Sequence, residues 1–183
     1  MLRKFSLLFT ITVILALPSC NQKQLSQPSS SVNDNVTIVE NVPFVKQEDK
    51  FCGPAAMASV MQFYGQDIDQ NEIAEEVYIP ELNGALISDM ENFAKAKGYK
   101  VVSTNGSIEI LKSYLNNNQP TILLVDKGKW KVSVPHYYVA YGYNDEKETI
   151  ILHTGFNEAQ EISFEKLDKE WGKMNRLMLV VTN

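Results

Sequence analysis

The order of secondary-structure patterns along the chain constrains its fold more than any other feature. Helical patterns fill the region from Cys52 to about Leu115, and segments rich in β-branched and aromatic residues follow from Pro120 onwards. Helices that precede a run of neighbouring strands are typical of an α+β domain with an antiparallel sheet. We therefore predict N-terminal helices that pack on a C-terminal antiparallel sheet.

Turn and capping residues set the limits of these elements. The first helix begins at Cys52-Gly53-Pro54, because proline suits the first turn of a helix, and it ends at Gly65. The second begins at Asp69, with Glu72 as the partner of a capping box. The remaining predicted helices span 88–97, 107–115 and 163–171, and the predicted strands span 99–102, 120–125, 136–143, 149–152 and 177–181.

The first residues of the chain carry the pattern of an export signal. Arg3 and Lys4 precede an apolar segment, residues 5–17, that is too short to cross a membrane as a helix. The segment leads into the tetrapeptide LPSC, which ends at Cys20 and resembles the lipobox of bacterial lipoproteins. An ordinary signal followed by an incidental cysteine is the alternative interpretation.

The lipobox resemblance implies a division of the chain into three parts. Residues 1–19 are the signal peptide, and the thiol of Cys20 receives a diacylglycerol group. Because several acyl chains anchor a protein stably, we expect the chain to be held on the extracytoplasmic side of a membrane in the cell envelope. Residues 20–38, rich in Ser, Gln and Asn, form a flexible linker, and residues 39–183 form the folded domain.

Composition excludes several classes of function. The chain of 183 residues has a net charge of −5 and no basic run beyond its N-terminus, so a nucleic-acid partner is not expected. Histidine and cysteine do not occur at metal-ligand spacing, and no glycine-rich phosphate loop is present in the sequence. We therefore expect no metal and no cofactor, and a monomeric domain.

Three residues have the chemistry of a thiol-dependent catalytic site. Cys52 stands at the start of a helix, where free N–H groups and the helix dipole favour a thiolate and lower the thiol pKa. Gln47 lies five residues earlier, where its amide can donate to an oxyanion. His136 begins a strand, which is a rigid place for a general base. The sequence therefore predicts a nucleophile, an oxyanion donor and a base.

These residues also carry a family resemblance. The pattern Q-x4-C-G-P-A-A, a helix that ends in Tyr-Gly and the later H-Y-x-V-x-x-G-Y resemble the bacteriocin-leader, or double-glycine, peptidases. That family is a branch of the papain-like cysteine peptidases, and the resemblance extends over residues 42–171. It implies a papain-like fold with Cys52 as nucleophile, His136 as general base and Gln47 as the oxyanion residue.

One position departs from the family pattern. The family places an Asp after the strand that follows the histidine strand, to orient the imidazole, but this chain reads Leu152-His153-Thr154-Gly155 there. Hairpin geometry brings residues 153–157 opposite His136. His153, Thr154 and Asn157 are thus the candidates for the third catalytic residue, and none supplies a negative charge.

The sequence leaves three functions open. The leading one is a peptidase or amidase of the cell envelope that cleaves a peptide or protein substrate through a thioacyl intermediate. The missing acid instead favours an inactive papain-like module that binds peptides. A thioacyl transferase needs the same nucleophile, base and oxyanion donors as a hydrolase, so the sequence does not separate the two.

Overall fold

The computed structural model describes residues 35–183, and the predicted signal peptide, the lipidation residue Cys20 and most of the predicted linker lie outside them. The helices are α1 (Cys52–Phe63), α2 (Gln70–Val77), α3 (Ile87–Ala96), α4 (Ile108–Asn116) and α5 (Phe164–Gly172), with a short 3-10 turn at Pro80–Leu82. The strands are β1 (Val36–Ile38), β2 (Tyr78–Ile79), β3 (Gly84–Ala85), β4 (Lys100–Asn105), β5 (Thr121–Asp126), β6 (Pro135–Asn144), β7 (Thr149–His153), β8 (Gln160–Ser163) and β9 (Leu177–Thr182).

A seven-stranded antiparallel sheet forms the centre of the described domain. Its strands run in the order β4-β9-β5-β6-β7-β8, and β1 pairs with the far half of β6. The long strand β6 therefore lies between β5 and β1 on one side and β7 on the other. Strands β2 and β3 form a separate hairpin between α2 and α3.

Helices cover both faces of this sheet. Met57 and Val60 of α1 pack with Tyr137 and Val139 of β6 in one buried cluster, to which α2 and α3 also contribute. Leu111 of α4 and Trp171 of α5 belong to a second cluster, with alternate residues of the same strand. The α+β class and the antiparallel sheet are confirmed. The helices surround the sheet on two sides, however, because successive side chains of β6 point in opposite directions and both sets are apolar.

The predicted capping residues explain where helices begin. The Asp69 side chain accepts hydrogen bonds from the backbone N–H groups of Asn71 and Glu72, and Ser107 and Ser163 cap α4 and α5 in the same way. The sequence reading missed β1, β8 and the β2–β3 hairpin, which are strands of two to four residues. Strand β1 lies inside the segment predicted as linker, so regular pairing begins before residue 39.

Within residues 35–183, every helix is too short or too polar to cross a membrane.

Candidate active site

Cys52 is the first residue of α1. Phe51, which precedes it, provides no side-chain cap, so the N–H groups of the first turn are left for other acceptors. The next residue is Gly53, and the structure leaves no room for a side chain at this position. A Cβ at this position would lie 3.0 Å from Met90 Sδ and 3.3 Å from the Tyr137 ring. The glycine therefore lets the start of α1 pack closely against β6, which carries His136.

Gln47, Cys52 and His136 line one open cleft of about 700 Å³. The β2–β3 hairpin region and the loop before β6 also contribute to its lining. Apolar side chains line much of it, including those of Leu82, Leu86, Leu124, Val134, Met174 and Leu177. The three residues that the sequence predicted are thus brought together in a cleft large enough for a peptide segment.

The thiol of Cys52 is partly buried and free. Burial raises its pKa above the ordinary value, while the backbone N–H groups of Tyr137 and Gly53 act in the opposite direction. The sequence predicted a lowered thiol pKa from the helix terminus. Desolvation outweighs that effect in the folded protein, so burial favours the neutral thiol.

The imidazole of His136 is buried and held by a backbone carbonyl. Its Nε2 lies 2.7 Å from the Thr154 oxygen. A carbonyl oxygen only accepts, so Nε2 carries the proton and Nδ1 is the unprotonated nitrogen of the neutral ring. Burial lowers the His136 pKa, the Thr154 hydrogen bond opposes this, and the Lys127 charge lowers it further. Burial therefore favours the neutral form of the ring.

Three consecutive residues after β7 organise the site, and we call Thr154, Gly155 and Phe156 the support loop. The Thr154 oxygen holds His136, and the Gly155 oxygen accepts the backbone N–H of Gln47 at 2.9 Å. The Phe156 ring stacks on the His136 ring, with centroids 5.5 Å apart and planes within 4°. The support loop thus fixes both the base and the oxyanion candidate.

Gly155 must be glycine for two reasons. Its φ is +79°, in the left-handed region that disfavours other residues, and a Cβ there would lie 2.6 Å from Gln47 Oε1. The Gln47 side chain is buried, and its Nε2 donates to the Asp49 oxygen at 2.9 Å. The second proton of that amide nitrogen forms no hydrogen bond within residues 35–183. Sequence reasoning missed Gly155 and Phe156, although Gly155 followed directly on the Thr154 candidate.

The third catalytic candidate is not the side chain that the sequence suggested. Thr154 Oγ1 accepts the backbone N–H groups of Phe156 and Asn157, at 3.3 and 2.9 Å, and the carbonyl of Thr154 contacts His136 instead. Asn157 is exposed, and its backbone oxygen accepts the Thr154 N–H. Residue 154 therefore lies beside the imidazole, but its main-chain oxygen contacts the ring, because the Thr hydroxyl closes its own turn.

His153 does not reach His136. It pairs with Val139 in the β6–β7 register, its Nε2 lies 3.1 Å from the Val42 oxygen, and its Nδ1 accepts the Ala159 N–H at 3.3 Å. Both ring nitrogens are therefore occupied by backbone groups. The prediction that His153 supports the catalytic base is wrong in geometry, and the residue ties together three segments of chain.

No cluster of three or more His, Cys, Asp or Glu side chains in the described part of the chain has the geometry to hold a metal ion.

A cysteine at the start of a helix, packed on an antiparallel sheet that carries a histidine, is the arrangement of the papain-like cysteine peptidases. The chain belongs to the Peptidase_C39 like family, which it matches over residues 39–179. Among curated protein sequences, none matches this chain.

Solved structures agree with this fold. The peptidase domain of Streptococcus ComA, a bi-functional ABC transporter involved in a quorum-sensing pathway, is 26% identical with a TM-score of 0.66, over 77% of this chain and 98% of that one. A double glycine motif protease from an AMS/PCAT transporter, solved in complex with the leader peptide, is 16% identical with a TM-score of 0.62, over 77% and 91%. Xylellain, a cysteine protease from Xylella fastidiosa, is 12% identical with a TM-score of 0.59, over 81% and 86%. Family and fold together indicate a cysteine peptidase.

Proposed function

We propose that this chain is a cell-envelope cysteine peptidase or amidase that cleaves a peptide bond through a thioacyl intermediate. One observation carries the proposal: Gln47, Cys52 and His136 line a single cleft of peptide size. The double glycine motif protease with a similar fold was solved with a leader peptide, which supports a peptide as the class of substrate.

The neutral resting state of the pair dictates how the reaction begins. Nδ1 of His136 takes the thiol proton as the Cys52 sulfur attacks the carbonyl carbon of the substrate. The oxyanion of the tetrahedral intermediate accepts hydrogen bonds from Gln47 Nε2 and from backbone N–H at the start of α1. The imidazolium then gives its proton to the leaving amine, and a thioester to Cys52 remains.

Water completes the cycle. His136 takes a proton from the water as its oxygen attacks the thioester, and the Cys52 thiolate leaves and recovers that proton. The Thr154 carbonyl supplies only a partial negative charge to the imidazolium, whereas a carboxylate supplies a full one. We therefore expect slower turnover than in a relative with an acid at this position.

The location is proposed from the N-terminal sequence. Residues 1–19 have the layout of a bacterial lipoprotein signal, with Cys20 as the lipidated residue. A lipid anchor on Cys20 holds the peptidase at the outer side of a membrane, where it meets exported peptides. Globomycin, which blocks lipoprotein signal cleavage, is expected to leave the signal attached, and Cys20→Ala is expected to abolish labelling of the protein by a fatty-acid precursor.

Trapping of the acyl intermediate tests the mechanism. The full chain is incubated with a mixture of quenched peptides and stopped in acid, and the mass of the Cys52 peptide is measured. We expect cleavage and an acyl adduct on Cys52, with both lost in Cys52→Ala. Cleavage that survives in Cys52→Ala would contradict the proposal.

The pH dependence of alkylation gives a second test. Because burial raises the Cys52 pKa, the reaction with iodoacetamide is expected to be slow at neutral pH and to accelerate as pH rises through that raised value. His136→Ala is expected to change the neutral rate little. A fast neutral rate that His136→Ala abolishes would instead indicate a resting ion pair.

The absent acid also favours a second function, an inactive module that binds peptides in the same cleft. Burial shifts both pKa values away from an ion pair, up for Cys52 and down for His136. In that case Cys52→Ala would bind peptides and support the same phenotype as the unmodified chain. If Cys52→Ala still binds peptides but no longer supports the phenotype, the chain acts as an enzyme.

A further inference from the structure

The loop between β5 and β6, residues 127–134, exposes a large aromatic side chain beside the cleft, and we call it the Trp130 loop. Trp130 is fully exposed, at 103%, and Val132 is 67% exposed. The Trp130 backbone has φ of +61°, an uncommon value for a bulky residue.

Asp126 and its neighbours fix the base of this loop. The Asp126 carboxylate accepts hydrogen bonds from the backbone N–H groups of Gly128 and Val134, at 2.7 and 2.8 Å, and from the Ser133 hydroxyl at 3.0 Å. Lys173 Nζ donates to the Gly128 oxygen at 2.7 Å. The exposed tip is therefore carried on a preorganised base, which reduces the entropy lost on binding.

The Trp130 loop is positively charged, although the whole chain has a net charge of −5. It contains Lys127, Lys129 and Lys131, and no acidic residue occurs between Asp126 and Asp145. Lys127 is engaged over the Tyr138 and Phe156 rings. Lys129 and Lys131 are exposed and form no ion pair within residues 35–183. Two ammonium groups thus flank the exposed indole.

The loop continues directly into the active site. Ser133 and Val134 line the cleft together with His136. Two residues of the Trp130 loop thus form part of the cleft wall, and the exposed tip of the loop lies two to four residues before them in the chain. The position therefore suits contact with a part of the substrate outside the scissile bond.

The Trp130 loop and the start of the described chain lie at opposite ends of the sheet. The loop joins the Asp126–Pro135 end of the β5–β6 pair, whereas Val36 pairs with Asn144 at the opposite end of β6. Nine residue steps of roughly 3.3 Å separate the two ends by about 30 Å. The described chain therefore starts at the end of the sheet remote from the Trp130 loop.

We propose that the Trp130 loop is an exosite for an acidic segment of the peptide substrate, with Lys129 and Lys131 contacting carboxylates and Trp130 packing on an apolar side chain. This inference rests on the proposed function, because the segment belongs to the peptide that enters the cleft. Exposed aromatic residues, next to charges opposite in sign to those of the partner, are common anchors of such contacts.

Binding to the full chain with Cys52→Ala tests the exosite without cleavage. Two dye-labelled peptides of equal length and apolar content are compared, one rich in Glu and one with Gln at the same positions. We expect the Glu peptide to bind about fivefold more tightly at low salt, with the difference falling as salt rises. The double substitution Lys129→Gln/Lys131→Gln is expected to remove this difference. Lys95→Gln/Lys97→Gln, at the C-terminal end of α3, removes the same charge and is expected to preserve the difference.

Tryptophan fluorescence reports the contact directly. The chain has only two tryptophans, and Trp171 is fully buried. A blue shift with the Glu peptide that is lost in Trp130→Ala supports the exosite. Equal binding of both peptides, or a shift produced only by phosphatidylglycerol vesicles, overturns it. Binding of the Glu peptide without any cleavage by the unmodified chain supports the Trp130 loop as a peptide contact and counts against the peptidase.

Discussion

The two histidines of the chain have similar surroundings and differ in the hydrogen bonding of one ring nitrogen, Nδ1. His136 and His153 are both buried, and each has its Nε2 on a backbone carbonyl, that of Thr154 and that of Val42. Burial lowers the pKa of both. His153 also uses Nδ1 to accept the Ala159 N–H, whereas no hydrogen bond to His136 Nδ1 is formed within residues 35–183.

The free Nδ1 of His136 distinguishes this catalytic candidate from His153, which is a structural residue. A histidine with both nitrogens on backbone groups joins segments of chain, as His153 does, and has no lone pair left for proton transfer. A histidine held by one nitrogen is oriented and still able to act as a base. Burial and pKa direction alone do not distinguish the two rings, and the hydrogen-bond inventory does.

The largest difference between the two histidines is expected in kcat when each is replaced by alanine. His136→Ala is expected to lower kcat for peptide cleavage about a thousandfold, because no other group in the cleft replaces Nδ1. In His153→Ala, kcat per folded molecule is expected to stay within about threefold of the unmodified chain. Steady-state kinetics on the same quenched peptide measure both. Comparable losses in the two variants would refute the distinction.

The free energy of unfolding is expected to respond in the opposite order, with a larger loss in His153→Ala than in His136→Ala. His153→Ala leaves the Val42 carbonyl and the Ala159 N–H without partners, and it opens space beside the Tyr141 ring, whose centroid is 4.4 Å away. We expect the free energy of unfolding to fall by about 2 kcal/mol. Urea denaturation measures this value, and His136→Ala, at the open cleft, is the comparison and is expected to lose less.

The aromatic neighbours of the two rings provide a matched pair. Phe156 stacks on His136, and Phe44 contacts His153 with centroids 5.3 Å apart. Phe156→Ala is expected to lower kcat about tenfold with little change in KM, because the imidazole loses its fixed orientation. Phe156→Tyr restores the stacking surface and most of the rate. Phe44→Ala is expected to leave kcat unchanged, and an equal effect of both substitutions would show that Phe156 acts only through stability.

The nucleophile side of the site follows from local sequence, and the support loop does not. Cys-Gly-Pro predicts a helix start that carries a thiol, and the structure has α1 begin at Cys52. The position of Gln47 and the strand of His136 were likewise readable from nearby residues. The fold class followed from the order of the helical and strand patterns.

Other features depend on contacts that a pattern of side chains does not encode. The group that orients His136 is the main-chain oxygen of Thr154, and every residue has such an oxygen. The pairing of His153 with Val42 joins residues 111 positions apart. The thiol pKa depends on burial by the whole domain, which reversed the direction expected from the helix terminus. Short strands such as β8 take their pairing from neighbours rather than from their own composition.

The smallest expected effect is on the pH dependence of stability. Burial lowers the folded-state pKa of each histidine below its unfolded value, so the unfolded chain binds more protons between the two values. The stabilisation is complete above the unfolded pKa and is lost as pH falls toward the folded one. His153→Gln removes one of the two groups, so its stability curve is expected to fall less steeply on the acid side in urea melts. The acid limb of kcat/KM reports the free enzyme's base and is expected to stay in place, since His136 is unchanged. If that limb moves with His153→Gln, the two histidines titrate as one unit and the division of roles fails.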